Sequence, residues 1–409
     1  MALNRLWTIA LRGLLRNRRR SAFTLIAVAL GLALLMTVNG LSWGTIESSL
    51  QDSIRLQTGH LQVRKESYEA EKLSLKWQDL LENPQALAGQ ALALKEVKAA
   101  APVLWINGII NTAEDSFGVR VYGIPADSAI HEPVRQGLIA GDFLAPDDRS
   151  GILIGQRLAE SLGIGLGQRV ALSIVNADGQ PTEDIFTVRG IFATGFPFYD
   201  ENSVFISLAK AQAFAGTGDR ASAIVIMLHR QNDARRVAAA LGGPGLRVLT
   251  WEDLNAIMLT AVQAGMGYYY LLDMIVMLIV AVIIANTLLM AVFERVREIG
   301  ILAALGMRPG QVRLMFLLEA ASLGLAGLVI GFGLGSLGVA YLAKTGLDIG
   351  EAASVAGETM VLGTKMYAQF MPGLFAGLGA AMLLIILLAS FYPAWYASRL
   401  QPVEALRAL

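Results

Sequence analysis

The sequence predicts an integral membrane α-helical protein with four transmembrane helices and a large α+β extracytoplasmic domain inserted between helices 1 and 2. Long apolar segments, a low charge content and arginines gathered beside those segments predict this fold class. Only 16% of the 409 residues are charged and 55% are hydrophobic, whereas a soluble domain has roughly 25% charged residues. The apolar excess is concentrated in a few stretches, as in a membrane protein.

Four stretches are long enough to cross a hydrocarbon core of about 30 Å, which takes about 20 apolar residues in a helix. Arginines precede the first stretch, as they do in a signal peptide. Its apolar run nevertheless continues to about Val38, and no small-residue cleavage site follows. We therefore predict an uncleaved anchor. The predicted spans are residues 22–43, 268–293, 314–342 and 374–396.

Lysine and arginine in the short flanks predict the orientation, because they accumulate on the cytoplasmic side. The first 20 residues contain six arginines and residues 294–313 contain four, whereas residues 343–373 contain two lysines beside three acidic residues. Both termini are therefore predicted to be cytoplasmic. The non-membrane segments are a cytoplasmic amphipathic start (1–21), an outer α+β domain with helical stalks (44–267), a cytoplasmic coupling segment (294–313), an outer loop (343–373) and a cytoplasmic tail (397–409).

The outer domain shows strand and helix signals in alternation. Asn176-Ala177-Asp178-Gly179 separates two strand-like runs and predicts a hairpin. Residues 46–57 and 251–264 look helical and continue into spans one and two, so we expect them to form stalks. The chain has no cysteine, so this domain must be stable without disulfides.

Motifs for chemistry within the chain are missing from the sequence. It has no G-x-x-x-x-G-K-[ST] phosphate loop, no G-x-S-x-G elbow and no H-E-x-x-H pair. Gly163 to Gly167 predicts a plain turn. The formal net charge is +0, which gives no attraction to nucleic acid. We predict no catalytic residue and no metal site.

Polar residues inside the predicted spans require an explanation, because a charge at mid-bilayer costs at least about 2.5 kcal/mol. Asp273 lies near the outer end of span two and Glu319 near the inner end of span three. Each of these two carboxylates either extends to the membrane–water interface or takes part in a contact between helices or a conformational switch. Asn286 and Thr287 are expected to form hydrogen bonds between helices.

Three glycines on span three, Gly327, Gly331 and Gly335, follow i, i+4, i+8 spacing. They give one helix face on which another backbone can approach closely. The sequence leaves open whether that face packs within the subunit or in a dimer interface.

The segment after span two combines a charged turn with an apolar one. A solvated flank explains the charges but not an apolar turn at residues 301–305 in a short cytoplasmic loop. An amphipathic helix there suits docking into a groove on a cytoplasmic partner. The candidate coupling residues are Glu294, Arg295, Arg297, Glu298, Gly300, Ile301, Leu302, Leu305, Gly306 and Met307.

These features resemble the FtsX-like permease subunits of ABC transporters, of the MacB and lipoprotein-releasing type. The order of one span, an outer domain and three spans is similar across essentially the whole chain. Two outer stretches, Gly59 to Val63 and Gly151 to Gly155, look more like the lipoprotein-releasing branch. The matching motifs are Asn286-Thr287, Glu294-Arg295-Val296-Arg297-Glu298-Ile299-Gly300, Ala304-Leu305-Gly306, Glu319, Pro393-Ala394, Ala397-Ser398-Arg399, Pro402 and Glu404-Ala405-Leu406.

The resemblance implies a permease in the bacterial inner membrane, paired with a second copy or a paralogue and surrounded by membrane lipids. Unlike MacB, the chain has no fused nucleotide-binding domain, so ATP and Mg would bind to a separate cytoplasmic ABC ATPase. This chain itself would bind no cofactor. The helix near residues 301–307 would couple that ATPase to motion of the periplasmic domain. The implied cargo is a lipoprotein, passed to a periplasmic carrier.

Three alternatives to lipoprotein release stay open. A related permease could export peptides, drugs or other amphiphiles. A regulator of a cell-wall hydrolase would use the same coupling, although the large outer domain argues against it. A membrane receptor without an ATPase would leave the apolar turn at residues 301–305 unexplained.

Overall fold

The computed structural model describes residues 18–112, 115–146, 148–350 and 363–401. The chain divides into two compact units. The helical unit comprises Met1–Thr45, Val262–Leu347 and Tyr367–Leu409, and the α+β domain comprises Ile46–Ala261 and Asp348–Met366. Most of the predicted amphipathic start, the middle of the loop 343–373 and the last residues of the tail, including the Pro402 and Glu404-Ala405-Leu406 motifs, lie outside the described residues.

The secondary structure is mixed in one unit and helical in the other. The α-helices are α1 Arg18–Ser53, α2 Pro84–Leu92, α3 Glu132–Gln136, α4 Gln156–Leu162, α5 Pro197–Asn202, α6 Leu208–Ala215, α7 Ala234–Leu241, α8 Trp251–Leu254, α9 Ala256–Glu294, α10 Val296–Ala304, α11 Pro309–Thr345 and α12 Pro372–Ser398. The strands are β1 Leu61–Lys65, β2 Val97–Asn111, β3 Ser116–Ile124, β4 Leu138–Gly141, β5 Gly151–Gly155, β6 Arg169–Val175, β7 Pro181–Phe192, β8 Ser203–Ser207, β9 Ala223–Leu228, β10 Leu246–Thr250, β11 Leu347–Asp348 and β12 Lys365–Met366.

Within the described residues, four helices, α1, α9, α11 and α12, are long and apolar enough to cross a membrane. Each contains one of the four spans expected from the sequence, which confirms the four apolar helices. Their shared interior is a cluster of aliphatic side chains from all four helices, among them Val28, Ile284, Ala320 and Met382. Large apolar residues cover much of the outer surface of the helices, as lipid contact requires.

The glycine face of α11 packs against α1 within the same chain. A Cβ atom added to Gly331 would lie 2.7 Å from the backbone oxygen of Ala29. At Gly327 it would lie 2.7 Å from the Val28 side chain, and at Gly335 2.8 Å from that of Met36. Of the two possibilities left open by the sequence, the structure has the contact within the subunit.

This contact predicts that Gly331→Ala destabilises the protein. The added Cβ atom would overlap backbone, which cannot rotate away, and overpacking of this kind costs roughly 1–3 kcal/mol. Gly333 is the matched control on the same helix, because a Cβ atom there meets nothing within 4 Å. Thermal unfolding in detergent should show a lower midpoint for Gly331→Ala alone. Equal midpoints for the two variants would contradict the close α1–α11 contact.

The α+β domain contains a ten-stranded sheet with the order β10-β1-β9-β2-β3-β8-β5-β7-β4, and β6 pairs with β2 and β7. Strand β2 is 15 residues long and pairs with β9 along its first half and with β3 and β6 along its second. The predicted hairpin is confirmed, because β6 and β7 pair antiparallel across residues 176–180. The domain is therefore α+β, as predicted.

Helix α1 does not stop where its α-helical part ends but continues in a π-helical turn, Ile54–Thr58. The turn closes at Gly59, whose N–H donates to the Ile54 oxygen over 2.9 Å and whose φ of +67° favours glycine. The Tyr199 hydroxyl donates to the Leu56 oxygen over 3.1 Å. The π-turn is thus anchored to the core of the domain.

The core of the domain is rich in aromatic rings around Phe205, and it also encloses a histidine. His131 is buried and its ring lies 6.1 Å from that of Phe205. Burial, with a smaller contribution from the positive charge of Arg135, lowers the pKa of His131 from 6.5 to about 3. The histidine is therefore neutral in the folded protein at any ordinary pH.

We expect this histidine to make stability depend on pH. Between pH 6.5 and about 3 the unfolded histidine binds a proton that the folded one does not, so stability is lost as the pH falls through that window. At pH 5 the loss is about 2 kcal/mol relative to neutral pH. His131→Phe keeps an aromatic ring and should reduce the loss between pH 7 and pH 5, as measured by urea unfolding followed by circular dichroism. The same pH dependence in both proteins would contradict the prediction.

Candidate functional site

The segment between α9 and α11 folds as a short helix held between two breaks. Helix α9 ends at Glu294, and α10 begins after Arg295, whose φ and ψ of −114° and 16° are not helical. At the other end Gly306 has φ +93°. The Gly306 N–H donates to the Ala303 oxygen and the Met307 N–H to the Leu302 oxygen, both over 3.0 Å. This double hydrogen bond is a Schellman motif, which requires glycine where φ is positive.

Helix α10 has one face packed on the helical unit. Ile299 and Met307 are buried in a cluster with Val312 and Phe316 of α11 and Ala397 of α12. Gly300 is also buried, and Leu302 packs partly against the same cluster. This face fixes α10 on the ends of two of the long helices.

The opposite face of α10 is exposed. Arg297, Ile301 and Leu305 follow one another at i, i+4 and i+8, and Glu298 lies beside them. Ile301 is 45% exposed and Leu305 is 80% exposed. We call these four residues the docking face. An apolar pair flanked by one positive and one negative side chain can bury apolar area on a partner while the charges set its orientation.

Ion pairs surround the base of α10. Arg295 lies 3.6 Å from Glu319 of α11, and both side chains are largely buried, with 13% and 6% exposed. The Arg20 guanidinium of α1 pairs with Glu294 at the end of α9 and also lies close enough to Glu319 for the charges to attract. Arg295, just before α10, is therefore paired with α11, and Glu294, at the end of α9, is paired with α1.

The other polar residues singled out in the spans have different environments. The Asn39 amide of α1 donates to Asp273 over 2.9 Å. Thr24 of α1 donates to the Thr287 hydroxyl over 3.1 Å. Asn286, in contrast, points away from the other helices and is exposed. The expectation of an interhelical hydrogen bond thus holds for Thr287 but not, within the described part of this chain, for Asn286.

The residues on α1 that complete these contacts were missed by the sequence analysis. The sequence predicts Arg20 only as part of a positive flank and gives no prediction for Thr24 or Asn39. A polar residue inside an apolar run is a usable signal for a helix contact, although sequence does not identify its partner. In the described residues no group of three or more metal-ligating side chains comes together.

Comparison with known proteins identifies the family. A model of the MacB-like periplasmic core domain matches residues 21–243, which is more than half of the chain, and a model of the FtsX-like permease C-terminal region matches residues 272–402. The chain belongs to the MacB- and FtsX-like family of ABC transporter permeases. Family membership implies an ATPase partner and a dimer, and the homologous permeases are inner-membrane subunits that are not themselves ATPases.

Individual relatives are distant but extend over nearly the full length. The chain is 24% identical to the lipoprotein-releasing system transmembrane protein LolC of Xylella fastidiosa, with 96% of each chain covered. It is also 24% identical to the uncharacterized ABC transporter permease YknZ of Bacillus subtilis, with 98% of each covered. Among solved structures, the periplasmic region of MacB from Actinobacillus actinomycetemcomitans matches 51% of this chain and 96% of that one, with 13% identity and a TM-score of 0.35.

The buried ion pair predicts that Glu319→Gln destabilises the permease. Removing one charge leaves Arg295 buried beside a neutral side chain, which costs roughly 3 kcal/mol. Thermal unfolding in detergent should show a clear drop for this variant. Glu252→Gln, which breaks the more exposed ion pair of Arg235 and Glu252, is the control and should change stability by about 1 kcal/mol or less.

A double substitution tests whether the effect belongs to the pair. The double variant Arg295→Met/Glu319→Met removes both charges. Its loss of unfolding free energy should therefore be smaller than the sum of the losses in the single variants Arg295→Met and Glu319→Met. Strict additivity would show that the two side chains do not interact.

Proposed function

We propose that the chain is the membrane subunit of a mechanotransmitting ABC transporter that extracts or releases lipoproteins from the inner membrane. A separate cytoplasmic ATPase supplies the energy, and the α+β domain moves in response. The observation that carries this proposal is the docking face of α10, an exposed apolar pair on a helix whose other face is fixed to the helical unit. The other candidate coupling residues between Glu294 and Met307 hold α10 in place and so position that face.

The ion pairs support a mechanical role for α10. A partner that moves α10 also moves Arg295 and Glu294, which are tied to α11 and α1. Because a buried charge without its partner is strongly unfavourable, these ends are expected to shift together. Helices α1 and α9 are each continuous from the helical unit into the α+β domain, so they provide an unbroken path for such motion.

The relatives support lipoprotein as the proposed cargo. LolC, a subunit of a lipoprotein-releasing system, matches over almost the whole of both chains. The equally distant YknZ match favours a second candidate, export of another amphiphile, because identity alone does not separate the two. The proposed further components are a second permease copy or paralogue and a periplasmic carrier, with both termini and α10 in the cytoplasm.

Docking predicts that Leu305→Glu releases the ATPase. A charge at this 80% exposed position would have to be buried unpaired in the partner's groove, so we expect at least a tenfold loss of ATPase recovered with the permease. Leu305 is a better test than Gly306, because the positive φ of Gly306 makes any substitution there strain the backbone as well. Leu347→Glu is the control, because Leu347 is an exposed leucine in the loop between α11 and α12. An unchanged complex of Leu305→Glu on gel filtration would defeat the assignment.

The cargo is tested by purifying the unaltered protein from its native host in mild detergent and identifying what accompanies it by mass spectrometry. An ATPase together with an acylated protein supports lipoprotein release. An ATPase with another amphiphile instead supports the exporter. If no ATPase is recovered from cells that contain the intact docking face, the coupling proposal is wrong.

A further inference from the structure

Asn286 is an exposed amide side chain within the second predicted span. All four predicted spans lie in the described part of the chain, and their other exposed polar side chains are tyrosines near span ends. Asn286 is eight residues before Glu294, which places it about 12 Å along the helix from the charged end of α9. Its side-chain amide makes no hydrogen bond to the described residues. Such an amide in hydrocarbon is costly unless a partner satisfies it.

The residues around Asn286 form a regular seam on α9. The seam residues alternate by four and three positions, which is the heptad spacing of helices that pack side by side. Every seam residue except Leu289, which is half-buried, is exposed. Asn286 occupies a core position of this repeat, where a single asparagine sets the register and the number of paired helices. The seam consists of Ile275, Ile279, Val282, Asn286, Leu289 and Phe293.

We propose that this seam is the contact between two copies of the chain, with the Asn286 side chains of the two copies hydrogen-bonded to each other. An amide is self-complementary, because each carries both a donor N–H and an acceptor oxygen. Two copies inserted in the same orientation and related by a two-fold axis bring equal residues together at that axis. A lipid chain offers neither donor nor acceptor, so lipid does not satisfy Asn286.

This inference rests on the proposed function, which requires a permease dimer, and adds the surface through which it forms. The glycine face of α11 is not available for that contact, because α1 occupies it. The β-branched side chains Ile275, Ile279 and Val282 give the seam a stiff apolar surface, which loses little rotamer freedom on packing.

The chain lends itself to a cross-linking test because it contains no cysteine. Val282→Cys and Asn286→Cys are each introduced singly into the full chain, and native membranes are oxidised with copper phenanthroline. Leu388→Cys is the control, since Leu388 is 65% exposed on α12 and lies eight residues before the end of its predicted span. We expect disulfide-linked homodimers from both seam variants and none from the control.

The results separate the interface from the transport proposal. No dimer from either seam variant, equal cross-linking at position 388, or a product containing a different polypeptide would overturn the homodimer seam. ATPase recovery with the same preparations is measured in parallel. That measurement tests the docking proposal independently of the cross-linking result. Val282→Cys keeps Asn286 intact, so failure of that variant cannot be attributed to loss of the amide.

A second measurement isolates the amide. Asn286→Leu should weaken the detergent-solubilised dimer about tenfold, which corresponds to about 1.4 kcal/mol, whereas Asn286→Gln should retain most of the affinity because it keeps an amide. Dimer dissociation is followed by single-molecule subunit exchange. Equal affinity of the leucine variant and the unaltered chain would show that the amide makes no contact across the seam.

Discussion

The helical unit depends on one constraint, that a polar group placed in hydrocarbon must find a partner. Glu319 and Arg295 satisfy it together, at 3.6 Å and with little exposure. Their pairing connects α11 to the start of α10, and so it sets where the docking face stands.

The same constraint aligns α1 with α9. Arg20 pairs with Glu294, Thr24 with Thr287 and Asn39 with Asp273, so the partner's number falls as the residue number rises. That order is the signature of two antiparallel helices in one fixed register. The glycine face of α11 then places a third helix against α1 at backbone contact. Polar pairs fix the register, whereas small residues fix the distance.

Much of this architecture was predictable because its signals are local. Hydropathy located the four long helices, and the Asp178-Gly179 turn located the β6–β7 hairpin. Strand β2 was not predicted, because its first seven residues, Val97-Lys98-Ala99-Ala100-Ala101-Pro102-Val103, include three alanines, a lysine and a proline, which are depleted in strands. It lies in the interior of the sheet, between β9 and β3.

The candidate site was predictable as a segment but not as a geometry. The charged and apolar turns of residues 294–307 predicted an amphipathic helix. Whether Glu319 reached the interface or made a contact could not be decided, because its partner Arg295 is 24 residues away in sequence, in the break between α9 and α10. For Asn286 the residue type predicted a hydrogen bond between helices. Whether its side chain faces the other helices depends on how α9 packs, which the sequence does not show.

The paired contacts also restrict how α1 and α9 can move relative to each other. Sliding one helix past the other by a turn, about 5.4 Å, would break the Arg20, Thr24 and Asn39 contacts between the helices at once. Tilting the two helices together breaks none of them. Nearer the sheet, the Ser53 hydroxyl donates to Asn255 over 2.7 Å, and Leu50 and Ile54 pack on Met258, so the pair is also joined there. The contacts therefore favour movement of α1 and α9 together, as one two-helix element.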